Sequence, residues 1–114
     1  MTADDFRRLA LGLPEVIESS HMAHPDFRVG GKIFATLTAA GDLGMAKLTP
    51  EQQEVLMSAE PDVFTPCAGA WGVRGSTHLK LAAAEDDVVR AALRLAWLNT
   101  ASAKIQARYP EVAR

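Results

Sequence analysis

Residues 27–37 read FRVGGKIFATL, and this stretch decides the fold. Two runs rich in aromatic and β-branched residues flank Gly30-Gly31. A two-residue hairpin loop needs positive φ angles at its centre, which glycine adopts without steric cost. The pair therefore predicts an antiparallel hairpin. Its loop length sets Val29 opposite Lys32, Arg28 opposite Ile33 and Phe27 opposite Phe34. Directly opposed residues share a face. Phe27, Val29 and Phe34 thus form the expected core face, and Arg28 lies on the reverse with Ile33, Ala35 and Leu37.

Towards the N-terminus, Val16 to Met22 reads as a strand, and His24-Pro25-Asp26 as the turn after it. Before that, Phe6, Leu9, Ala10 and Leu13 recur at i, i+3, i+4 and i+7, the pattern of one helical face. Thr2 is placed to cap this helix, Asp4 and Asp5 suit its first turn, and Gly12 and Pro14 stop it.

Towards the C-terminus, Gly41-Asp42 turns the chain into a further strand. There Leu43, Met45 and Lys47 alternate with Gly44, Ala46 and Leu48. Thr49 caps a short helix that ends before Pro61, with Pro50 at its first position and Gln52 or Gln53 reaching back. Val63 to Pro66 is extended, and Cys67 to Ser76 reads as a glycine-punctuated loop. Thr77, Leu79 and Leu81 of the closing strand face one way, His78 and Lys80 the other. Glu85-Asp86-Asp87 opens a long helix with an apolar stripe of Val88, Val89, Ala92, Leu95 and Ala96. Asp86 is spaced to pair with Arg90, and the helix runs to about Asn99, then continues or restarts at Thr100 to reach Tyr109. This order predicts a single α+β domain over residues 1–114. Its antiparallel sheet has about five strands, with the N- and C-terminal helices packed together on one face.

The totals narrow the function classes. Hydrophobic residues at 48% and charged residues at 23% exclude a disordered chain. A net charge of −2 argues against a strongly basic nucleic-acid clamp and leaves room for a local basic face. One cysteine, Cys67, forms no internal disulfide, which fits a reducing compartment. No apolar run approaches the ~20 residues of a membrane span. The opening MTADDFRRLA has no signal-peptide core, so the expected location is the cytoplasm.

Each candidate for chemistry has a plainer reading beside it. His21, His24 and Asp26 carry metal-ligand atoms, but three in a turn with no fourth partner read as a solvated turn. Cys67 lacks the setting of a nucleophile. The helix dipole accounts for Glu85, Asp86 and Asp87. Gly30-Gly31 precedes a strand, unlike a phosphate-cradling loop, which opens a helix. Trp71 beside Arg74 is the most informative pair. Such a loop stacks on a base or planar ligand while its cation meets phosphate; the alternative is that Trp71 plugs the core edge. The residues predict no catalytic group, metal or cofactor.

The stretch HPDFRVGGKIFATL (residues 24–37), the Lys47-Leu48-Thr49-Pro50-Glu51 helix start, the Gly69-Ala70-Trp71-Gly72 loop and LRLAW (residues 93–97) together resemble the MmcQ/YjbR family, from about Phe6 to Ile105. The resemblance implies an α+β fold similar to the frataxin-like CyaY topology, and DNA binding through two projecting wings. One wing corresponds to Arg28, Gly30, Gly31 and Lys32, the other to Trp71 and Arg74; Lys47, His78 and Lys80 line the sheet between them. Iron chemistry does not follow from the fold, and Asp4 and Asp5 are the only acids of the first helix. The chain departs from the family pattern at Ala70, where many members carry lysine before the tryptophan. The expected function is a non-enzymatic DNA-binding module, monomeric or weakly dimeric. The alternative is a domain that binds a small anionic metabolite or a partner protein on the open sheet face, and a metal-assisted enzyme built on His21, His24 and Asp26 comes third.

Overall fold

In the computed structural model, which describes residues 1–114, the elements run α1 (Ala3–Leu11), β1 (Val16–His21), β2 (His24–Val29), β3 (Lys32–Leu37), β4 (Leu43–Lys47), α2 (Pro50–Ala59), β5 (Phe64–Pro66), α3 (Gly69–Val73), β6 (Ser76–Lys80), α4 (Asp86–Thr100) and α5 (Ala103–Arg108). Six strands form one sheet in the order β1-β2-β3-β4-β6-β5, and every neighbouring pair is antiparallel. No helix is long and apolar enough to cross a membrane.

Gly30 and Gly31 make the predicted turn, with φ of 59° and 79°. Val29 faces Lys32 and Arg28 faces Ile33, as loop length dictates. The next pair differs from expectation: Phe27 faces Ala35, not Phe34. Phe34 is the extra residue of a β-bulge, which shifts the alternation of everything after it. Phe34, Ala35 and Leu37 are consequently all buried on the helix side, and Ala35 and Leu37 leave the reverse face. That face keeps Arg28, Ile33 and Thr36, the last paired with Asp26.

The turn before β2 is also displaced from its expected place. His21 pairs with His24, so His24-Pro25-Asp26 is strand and Met22-Ala23 is the loop. Met22 and Ala23 adopt φ of 50° and 65°, the left-handed conformation that a two-residue hairpin demands. Neither residue type announces it.

The starts of α1 and α2 both form capping boxes. The Thr2 amide donates to Asp5 Oδ2 at 2.9 Å, and the Asp5 amide to Thr2 Oγ1 at 3.1 Å. In α2 the reciprocal pair is Thr49 and Gln52. Gln53 is thereby left for a different task, described below.

Helices α1 and α4 pack on each other and on the central strands. Phe6 of α1 meets Phe27 of β2 edge-to-face, with ring centroids 6.0 Å apart. The core side of α4 is Val89, Ala92, Leu93, Ala96 and Trp97; Val88 and Leu95 of the expected stripe are only half-buried. Trp97 is the largest fully buried side chain, and its indole Nε1 donates to the Pro14 carbonyl at 3.0 Å. Asp86 makes no ion pair with Arg90, and both are exposed at the surface of α4.

The helix layer sits tightly on β4. Gly44 pairs with Leu37 and Leu79, and a Cβ built on it would stand 2.5 Å from Phe6 Cε2. Gly44→Ala is therefore expected to destabilise by about 1–3 kcal/mol through overpacking. Urea unfolding should show a lower midpoint at unchanged slope. In a Phe6→Leu background the added cost of the alanine should shrink; an undiminished cost would place the strain elsewhere.

Candidate nucleic-acid interface

The sheet face away from α1 and α4 is open. On it Asp26, Thr36, Met45, His78 and Thr65 follow one another across five strands by register. Beside this row a cleft of about 680 Å³ is bordered by Arg28, Gly31, Lys32, Lys47, Trp71 and Arg74. Ile33, Leu48 and Ser76 complete its floor, and Asn99 and Thr100 bring the end of α4 to its rim. A second cleft of about 430 Å³ adjoins it, sharing Ile33, Lys47, Trp71 and Ser76 and adding His78, Met45, Thr36, Cys67, Ala68 and His21. No carboxylate lines either cleft.

Six of the nine predicted binding residues thus border one cavity. His78 belongs to the neighbouring cleft. Gly30 turns away: its missing Cβ would meet Ile105 of α5 at 3.0 Å. Lys80 faces Leu43 farther along the sheet and reaches neither cleft. Sequence reasoning missed Asn99 and Thr100, which arrive through the packing of α4. No local pattern marks them.

Arg28 is held in place by Asp26. Its Nε donates to Oδ1 at 2.8 Å and an Nη2 hydrogen to Oδ2 at 3.1 Å, while His21 Nδ1 lies 2.7 Å from Oδ2. The Asp26 side chain is fully buried, with Arg28 and His21 partly exposed above it. The Arg28 hydrogen bonds hold the Asp26 carboxyl below the usual carboxylate range against the opposing effect of burial, and His21 adds to the lowering. With both oxygens so engaged, Asp26 has little to offer a cation, and His21, His24 and Asp26 make no cluster fit to hold a metal. Lys32, Lys47, Arg74 and Lys80 make no ion pair at all.

Trp71 is carried on α3, a short helix where the sequence reads as a loop. Gly72 makes that helix possible, because a Cβ there would fall 1.8 Å from the Cys67 carbonyl oxygen. Gln53 clamps the same segment: its Nε2 lies within hydrogen-bonding distance of the Gly72 and Ser76 carbonyls and Thr77 Oγ1, at 3.1, 3.2 and 3.0 Å. Trp71 stands 62% exposed, so it does not plug the core edge; Trp97 has the buried role. Burial raises the Cys67 thiol above its ordinary pKa, the reverse of what a nucleophile requires.

These features define a class: a small α+β domain with α1 and α4 packed on one face of an antiparallel sheet and a cation-lined cleft beside the open face. The YjbR family model matches residues 11–99, and the chain belongs to the YjbR family. The crystal structure of Deinococcus radiodurans protein DR2400, which carries the domain DUF419, is similar with a TM-score of 0.77 and 21% identity, covering 98% of this chain and 88% of that one. At that identity the likeness shows the fold. No curated protein matches the chain.

The Asp26 arrangement has a pH signature. A carboxyl whose folded pKa is depressed contributes stability that is complete above its unfolded value of ~3.9 and is lost as pH falls through the folded value. Asp26→Asn should cost about 1–3 kcal/mol at pH 7, and the gap to wild type should close in acid. Urea midpoints measured from pH 7 down to pH 2 check this; a gap that stays constant would show that the charge of Asp26 is not what matters.

Proposed function

We propose that this chain is a non-enzymatic DNA-binding module that contacts phosphates across its open sheet face. One observation carries the reading. Lys32, Lys47 and Arg74 come from three separate parts of the chain, border one cleft without ion-pair partners, and do so on a molecule of net charge −2. Cations gathered on a low-dielectric surface raise the local potential far above what the total charge suggests. Arg28 differs from the other three. Its charge is matched by Asp26, so it acts as a fixed donor with Nη1 free of the carboxylate. Gly31 leaves the hairpin tip open, with nothing within 4 Å of where a side chain would start, so a phosphate has room at the backbone.

Binding through three unpaired cations gives a log–log salt slope of about −2.7, from roughly −0.9 for each phosphate contact on duplex DNA. Titration of a labelled duplex at several salt concentrations measures it. Lys47→Ala and Arg74→Ala should each reduce the slope by about 0.9 and weaken all sequences alike, because phosphate contacts carry no base information. No binding of either duplex or single strand at low salt, or binding without salt dependence, would reject the proposal.

A second reading is favoured by cleft size. About 680 Å³ lies within the ~300–1,000 Å³ typical of small-ligand sites, so a small anionic metabolite fits the same cations. A thermal shift with phosphorylated metabolites and none with DNA would select it.

A further inference from the structure

We propose, resting on the DNA-binding reading above, that the site takes an unpaired nucleotide: the base stacks on Trp71 in the second cleft, and its phosphate lies in the cationic one. The two clefts are adjacent and unlike. The first holds Lys32, Lys47 and Arg74; the second is floored by Ile33 and Met45, with Thr36 and His78 as polar groups. Trp71 and Lys47 belong to both, so a planar surface and a cation stand together at the boundary. A nucleotide has the matching division between a flat apolar base with polar edges and an anionic phosphate.

The state of Trp71 supports stacking. The indole is mostly exposed, yet its backbone is fixed by the close approach of Gly72 to Cys67 and by the Gln53 clamp. An exposed ring on a rigid mount loses little freedom when a base covers it. Duplex DNA cannot use this surface, because its base faces are occupied by neighbouring bases. Stacking on an aromatic side chain requires a base outside a duplex and tolerates any sequence. Thr36, Ser76 and His78 supply hydrogen-bonding groups near the base edge.

The test compares a labelled oligothymidine single strand with a duplex of equal length by fluorescence anisotropy at one salt concentration. The single strand should bind more tightly and should quench tryptophan emission. Trp97 is fully buried and hydrogen-bonded to Pro14, so the quenching reports on Trp71. Trp71→Ala should lower single-strand affinity by about 5- to 150-fold, the range of one lost stacking contact, and bring the preference over duplex towards one. Trp71→Phe should restore most of it. Equal wild-type affinity for the two forms, or an equal loss for both in Trp71→Ala, overturns this inference and leaves the DNA-binding reading standing. Failure of both forms to bind overturns both.

Discussion

One extra residue in β3 governs the division of labour in this molecule. Side chains in a strand alternate strictly, so without a bulge Ala35 and Leu37 would share a face with Ile33. The bulge at Phe34 breaks the alternation once. Above it, Arg28 and Ile33 stay on the open face beside the glycine turn; below it, Ala35 and Leu37 join Phe27 against the helices. The same hairpin therefore turns one face to the hydrophobic core, with Val29 at its turn end included, and the other to the clefts. Beyond the bulge, Leu37 pairs with Gly44 of β4, where Phe6 leaves no room for a side chain.

The walls of the cleft are rigid for unrelated reasons. On the hairpin side, a buried carboxylate fixes a guanidinium: Asp26 is shielded from water and Arg28 supplies two hydrogen bonds and the compensating charge. On the α3 side, the fixing is steric and polar. Gly72 lets two backbone segments touch, and one glutamine amide holds α2, α3 and β6 together. Neither wall needs a ligand to be ordered, which is the condition for binding without a large ordering cost.

What could be read in the sequence was local chemistry. The Gly30-Gly31 turn, the Thr2 and Thr49 caps and the inward run Thr77, Leu79, Leu81 each depend on residues a few positions apart. The misread elements were set by tertiary demand. Phe34 bulges because the core takes both its ring and Ala35. Met22-Ala23 turns with residue types that carry no turn signal, and the more turn-like His24-Pro25-Asp26 is drawn into β2 by pairing with β1. Three glycines within Cys67–Ser76 suggest a loop, yet the one at position 72 is what permits a helix turn. Of the cleft, the side chains with obvious chemistry could be named in advance. Their convergence, and the arrival of Asn99 and Thr100, followed from the packing of distant elements.

The two margins of the sheet are unlike each other. The β5 margin is only three residues long and ends in Pro66, which has no amide hydrogen to offer. The β1 margin is six residues long, pairs on one side only, and exposes Ile17, Ser19 and Ser20, with the Glu18 carboxylate anchored to Arg7 at 2.9 Å. Unpaired outward backbone groups therefore run along a six-residue strand at one border and a three-residue strand at the other. The longer open template thus lies at β1, the end of the sheet farthest from β5 and β6.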